Sequence, residues 1–169
     1  MGSDKAFLKL EETTLLVRAV DFCMKFCDET FISSSNPKHQ FEGIKRIGDE
    51  IKDCGPIGGI YSSLKQSSND WNFVLSVDAP FAEQDFVDFM IKKTKSFDAV
   101  VPLHNGKKEP LMALYHKKIL PQIEVKLKEG IYKLHFLLHG INTNFVESDE
   151  WLIKYPKLFQ NLNYPEELS

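Results

Sequence analysis

The sequence predicts an α/β fold of three layers, in which a doubly wound, mostly parallel sheet carries helices on both faces and includes one antiparallel strand pair. Three observations predict it. Strand-like and helix-like segments alternate along the chain. The run Trp71 to Val77 is almost continuously apolar, as strands buried on both faces are. Asn105-Gly106, the strongest short hairpin signal, lies between two strand-like runs. With 169 residues, 43% hydrophobic and 27% charged, the chain suits a single domain over residues 1–169 with a real core; disordered and collagen-like chains are excluded.

In order, residues 12–27 place Leu15, Leu16, Ala19, Val20, Cys23, Met24 and Cys27 at helical spacing, a wide buried stripe. Thr30 to Ser34 is a short strand that breaks at Asn36-Pro37, and Gly43 to Ile47 is a second. Gly55-Pro56 begins a helix whose stripe is Ile57, Ile60, Tyr61 and Leu64. The strand from Trp71 stops at Asp78-Ala79-Pro80, which sets an acid at its end. Glu83 to Lys93 is a helix, and Phe97 to Leu103 is a strand with Pro110 to Tyr115 as its expected hairpin partner. Residues 117–129 and Tyr132 to Leu138 read as helices stopped by Gly130 and Gly140, and Asn144 to Glu147 as a last strand. No strand precedes the first helix, which is unusual for a wound sheet.

A net charge of −3 is too even for binding nucleic acid through bulk charge, and no apolar run nears the roughly 18 residues of a membrane span. A small molecule or a protein is the expected partner, with neither nucleic acid nor membrane. The N-terminus shows no export signal, and Ala6 stands where a myristoylation motif needs Ser or Thr. Three cysteines, an odd number, fit a reducing cytoplasm.

Asp78 is the first chemical candidate, because a carboxylate at the end of a buried strand faces the crevice where such sheets bind ligands and is able to hold magnesium against phosphates. Against this, Asp commonly starts turns. Lys5, just before a helix, can neutralise phosphoryl charge, although exposed lysines are abundant. Gly55-Pro56, with Gly58 and Gly59 behind it, offers close backbone approach at a helix start. Cys23 and Cys27 read as core, and His135 and His139 lack a third ligand; they, with His39, His104 and His116, read as ordinary histidines. Phosphate-loop, dinucleotide-loop and nucleophile-elbow motifs do not occur.

In combination and in order, these pieces resemble the molybdenum cofactor guanylyltransferases, the MobA type of nucleotidyltransferase. The resemblance runs through Met1-Gly2-Ser3-Asp4-Lys5-Ala6-Phe7-Leu8, Asp49, Gly55-Pro56-Ile57-Gly58-Gly59-Ile60, Asp78-Ala79-Pro80-Phe81, the strand Pro110 to Tyr115, and the close from Phe159 to Leu168. It implies a nucleotide-diphospho-sugar transferase-like fold, and transfer of GMP from GTP to the molybdenum-bearing pterin with release of pyrophosphate. It further implies that Lys5 and Asp78 are catalytic, with Asp78 holding Mg2+. Gly2, Lys5, Ser34, Asn36, Asp49, Gly55, Pro56 and Asp78 would bind nucleotide, and Lys133, Asn161 and Asn163 would face molybdopterin. Transient contacts with molybdenum-insertion proteins and molybdoenzymes would follow.

The family pattern places a strand and a loop, Leu-Ala-Gly-Gly-x-x-x-Arg, ahead of the Met-Gly on which this sequence starts. Relative to that pattern the chain is truncated at its N-terminus and lacks the first strand, so the resemblance predicts a gap in the sheet, an incomplete phosphate cradle and weak GTP binding. Tyr164 and Val77 are milder departures. Two other readings stand beside guanylyl transfer: a non-catalytic remnant that binds pterin or a partner, and a related nucleotidyltransferase that uses another nucleotide.

Overall fold

The structure, a computed structural model, describes residues 4–162. Asp4 caps a single 3-10 turn, Lys5–Phe7, its carboxylate accepting the Ala6 N–H at 3.1 Å. A small hairpin, β1 (Lys9–Leu10) and β2 (Thr13–Thr14), leads into helix α1 (Leu15–Met24). The apolar period predicts helix from residue 12. The hairpin claims Thr13 and Thr14 instead, and the Thr14 hydroxyl accepts the Val17 N–H at 3.3 Å, an N-cap that fixes the start of α1.

Strands β3 (Phe31–Ser33) and β4 (Lys45–Ile47) follow and pair in parallel. Helix α2 (Pro56–Gln66) opens on Pro56 behind Gly55, whose φ of 62° and ψ of −154° are open only to glycine. Strand β5 (Trp71–Leu75) is shorter than the apolar run, although the Ser76 N–H still bonds to Leu111 O at 2.8 Å. The remaining elements are α3 (Gln84–Ile91), β6 (Ala99–His104), β7 (Lys107–Lys108), β8 (Met112–His116), α4 (Leu120–Lys128), α5 (Leu134–Gly140), β9 (Thr143–Glu147) and α6 (Trp151–Lys154).

The main sheet runs β5-β8-β6, with β7 antiparallel and β9 parallel to β6. Asn105-Gly106 does make a hairpin, with φ of 46° and 72°, but its second strand is the two-residue β7. Met112–His116 pairs with β6 only at Ala99 and Val100, whereas all five of its residues pair antiparallel with β5. A strand inserted between β5 and β6 against their direction leaves β3–β4 and β6–β9 as the parallel pairs among the described residues, so the sheet is more mixed than the sequence predicts.

Alternation along β6 and β8 sorts the core into two sides. Ala99, Val101, Ala113 and Tyr115 pack with Ile57, Ile60, Ile123 and Leu137 of α2, α4 and α5. Val100, Met112 and Leu114 pack with Phe86, Val87 and Met90 of α3 and with Leu158 and Phe159 near the C-terminus. These are the three expected layers. The β3–β4 pair lies apart from the main sheet, and Ile32 is covered by Leu16 and Val20 of α1.

Phe86 is wholly buried, with edge contacts to Trp151 at 5.2 Å and Phe159 at 5.4 Å. Phe86→Ala is expected to cost about 3–5 kcal/mol, read as a lowered urea midpoint at unchanged slope.

Candidate active site

The site forms where several strands end. Asp78 lies three residues past β5, and its carboxylate Oδ1 accepts the Ser76 hydroxyl at 2.6 Å while Oδ2 meets the Lys5 ammonium at 3.3 Å. Side-chain exposures of 40% for Lys5 and 24% for Asp78 make this a half-open pair that adds little to stability, so its significance is placement. A cation and an acid share one rim, and each keeps a face toward solvent.

Asp4, the neighbour of Lys5, reaches the opposite way. Its Oδ2 accepts from Asn36 Nδ2 at 2.8 Å and lies 2.8 Å from His39 Nε2. His39 Nδ1 in turn is 2.7 Å from the Ser34 hydroxyl, which also accepts the Asn36 N–H at 3.1 Å. Ser34 follows β3, and its N–H bonds to Ile47 O at the end of β4 at 2.9 Å. Partial burial pushes the Asp4 carboxyl up, but His39, the Ala6 N–H and Asn36 outweigh that and hold it below its ordinary value.

Asp49, two residues past β4, faces Gly58 and Gly59 in the first turn of α2. A Cβ on Gly59 would stand 2.6 Å from Ser33 Oγ and 3.5 Å from Asp49 Oδ1, so the backbone approaches closely here because side chains are absent. Burial pushes the Asp49 carboxyl up. Gly55 and Pro56 start α2 beside this contact.

On the other flank, the Leu162 N–H donates to Asp78 O at 2.8 Å and draws the C-terminal segment to the rim. Asn161 thereby lines a cavity of about 140 Å³ together with Ser76, Asp78, Glu109 and Phe159. The structure thus bonds Lys5 to Asp78, ties Ser34 and Asn36 to the neighbouring Asp4, sets Asp49 with the start of α2, and brings Asn161 to Asp78. Lys133 is not gathered in: it occupies the N-cap position of α5 with its side chain exposed and making no capping bond, and it does not line that cavity. Gly2 and Asn163 lie outside the described residues.

Two histidines read as ordinary in the sequence are not ordinary here. His39 links Asp4 to Ser34, and the buried His104 stacks on Phe159 at 4.2 Å while its Nε2 lies 2.8 Å from Glu109 Oε1, beside the Asn161 cavity. The sequence signal for both is faint, since their partners are set by the fold. His39 to Asp4 spans 35 positions.

Among the described residues no three His, Cys, Asp or Glu side chains converge on a metal position. Asp78 fits the requirement of magnesium, which commonly takes one or two carboxylates and completes its shell with water and substrate phosphates. No described helix is long and apolar enough to cross a membrane.

Residues 1–141 match the model of the MobA-like NTP transferase domain. The chain belongs to that family. A probable molybdenum cofactor guanylyltransferase of Halalkalibacterium halodurans is 31% identical over 177 residues, covering 99% of this chain and 89% of its own. The molybdenum cofactor guanylyltransferase of Vibrio parahaemolyticus is 28% identical over 171 residues, covering 99% and 86%. The crystal structure of molybdopterin-guanine dinucleotide biosynthesis protein A from Archaeoglobus fulgidus superposes with a TM-score of 0.80 at 23% identity, over 97% of this chain and 86% of that one. The family carries with it nucleotidyl transfer as the class of reaction and the nucleotide-diphospho-sugar transferase-like fold.

The clamp through His39 gives a direct test. A carboxyl whose folded pKa is depressed contributes stability above its unfolded pKa and loses it as pH falls through the folded value. In His39→Ala the Asp4 carboxyl is expected to titrate higher, back toward its ordinary 3.8, in a carbon-detected NMR titration, and residues 4–7 to exchange amide protons faster.

Proposed function

We propose that the protein transfers GMP from GTP to the terminal phosphate of molybdopterin, forming the guanine dinucleotide and pyrophosphate. The observation that carries this reading is the Lys5–Asp78 pair at the carboxyl end of β5, on a rim that also holds Ser34 and Asn36 on one side and Asn161 on the other. Open sheets of this class bind ligands at that edge, and names of relatives across 99% of the chain agree with the substrates.

In the reaction, an oxygen of the pterin phosphate forms a bond to the α-phosphorus of GTP while the bridging bond to the β-phosphate breaks, and pyrophosphate leaves with the electron pair. Little covalent work falls to the protein, so positioning and charge neutralisation dominate. Lys5 places one positive charge beside the phosphates. Asp78, oriented by the Ser76 hydroxyl, would hold Mg2+, which supplies Lewis-acid neutralisation of phosphate charge when bound. Asp49, Ser34, Asn36, Gly55 and Pro56 form the nucleotide side, to which the family resemblance also assigns Gly2. Asn161 faces the pterin, and Asn163 and Lys133 are assigned to the same side by the family resemblance.

Asp78→Asn keeps the shape and removes the charge. With enzyme in excess over GTP, this variant is expected to release pyrophosphate at least about 10²-fold more slowly with its thermal transition unchanged, and Lys5→Ala to slow release by a smaller factor. Full activity in Asp78→Asn, or loss seen only together with unfolding, contradicts the assignment.

A further inference from the structure

On the Asn161 flank the fold holds one carboxylate firmly and engages only one of its two oxygens. Glu109 lines the cavity of about 140 Å³ that Asp78 and Asn161 also line, and its side chain is only 22% exposed. His104 Nε2 lies 2.8 Å from Glu109 Oε1, and because an ionised carboxylate only accepts, Nε2 carries the proton and donates. The backbone fixes Glu109 as well: its N–H bonds to Pro102 O of β6 at 3.0 Å, and its carbonyl accepts the Met112 N–H at 3.2 Å. His104 is locked in turn, paired with Lys107 across the hairpin and stacked on Phe159 with the rings 11° from parallel. Among the described residues Oε2 of Glu109 has no hydrogen-bond partner. Pro110, Leu111 and Met112 complete the wall, so a carboxylate stands in a largely apolar pocket where one bond to an imidazole offsets only part of its desolvation. Such a group is poorly explained by stability and well suited to meeting donors that arrive from outside.

We infer that Glu109 reads the ring of the acceptor: its carboxylate accepts the two adjacent N–H groups of a 2-amino-4-oxopyrimidine edge, and His104 is the positioning residue that orients it. The inference rests on the pterin reading given above and adds which end of the acceptor lies where. A carboxylate offers two acceptors in one plane and matches two parallel donors. The pterin ring presents its N3–H and 2-amino group in that arrangement, whereas the phosphate at its other end is anionic and is repelled by a second carboxylate. The phosphate therefore lies toward Lys5 and the ring toward Glu109. Guanine carries the same pair of donors, so chemistry alone does not choose between the two rings; position does. Glu109 shares its cavity with Asn161, on the other side of the Lys5–Asp78 pair from Ser34 and Asn36, where the nucleotide is placed. A carboxylate fixed before the ring arrives needs no reordering when it binds, which is how a single side chain gains selectivity.

The test reads binding and needs no turnover. 6,7-Dimethylpterin and 6,7-dimethyllumazine share a shape and differ at position 2, where the lumazine sets an oxo group against the carboxylate in place of the amino donor. In NMR titrations the protein is expected to bind the pterin with a Kd at least about tenfold lower than the lumazine, with amide shifts centred on Glu109, Met112 and Asn161. Glu109→Gln keeps the shape and is expected to bring the two Kd values within about twofold of each other, with GTP binding in Mg2+ and the thermal transition unchanged. His104→Leu removes the donor and is expected to reduce the preference by a smaller factor, and His104→Gln, which can donate to the same oxygen, to recover it. A purely structural role would move the thermal transition and leave the preference intact, which would overturn the proposal. So would the absence of saturable shifts with the pterin, equal binding of the two rings, or a preference undiminished in Glu109→Gln. Loss of discrimination between GTP and ITP in Glu109→Gln would also overturn it, because guanine would then be the occupant. The nucleotide reading fails separately: GTP and Mn2+ bound away from Asp78, beside a pterin preference that still depends on Glu109, would leave the ring site supported on its own.

Discussion

A two-residue bridge organises this molecule. Asp4 bonds back to the segment after β3 and Lys5 reaches forward to the segment after β5, so one short turn ties together two strand ends that share no ladder. The consequence is chemical as well as structural. A lysine ammonium held against a carboxylate at the strand ends concentrates both charges where a phosphate chain would lie, and the Ser34–His39–Asp4 chain of bonds keeps the bridge from swinging away. Neither contact is worth much as stability, since both are part-exposed. Their value is orientation, which positioning chemistry requires.

The surrounding core is what makes that orientation rigid. The main sheet is buried on both faces, and Tyr115 shows how completely: its hydroxyl donates to Pro110 O at 2.8 Å and burial pushes its pKa up. That bond steadies the turn ahead of β8, and Glu109 and Pro110 from the same turn line the Asn161 cavity. The half of the molecule around β3 is less complete. Leu16, Val20 and Ile32 of its small cluster line a cavity of about 410 Å³ that β5 also borders, so the Ser34 and Asn36 flank rests on a two-stranded fragment while β5, on the Asp78 flank, is paired along its length with β8.

What the sequence disclosed and what it concealed divide along physical lines. The β5 strand was legible because its run is almost continuously apolar, although the fold leaves every residue of Trp71–Leu75 half-buried rather than buried on both faces, and the acid that follows it falls at the strand's end. Gly55-Pro56 was legible because a helix start with positive φ accepts few other residues. The pairing of β8 was not, since Asn-Gly specifies a turn but not which strands lie beyond it, and two residues of β7 satisfied it. His39 was concealed for another reason: its function arises from partners at positions 4 and 34, and no local pattern encodes that meeting. Lys133 is a motif position that the fold leaves exposed at the start of α5, outside the lining of the Asn161 cavity.

Phosphate chemistry at the Lys5–Asp78 rim requires that a nucleotide-bound metal ion sit there. Paramagnetic Mn2+ substituted for Mg2+ and added with GTP tests it most directly, because it broadens backbone NMR signals only near the bound ion. Broadening centred on Ser76, Asp78 and Lys5 is expected, requiring the nucleotide and disappearing in Asp78→Asn. Broadening centred on any other part of the molecule, or broadening at this rim that persists without the Asp78 carboxylate, would contradict it.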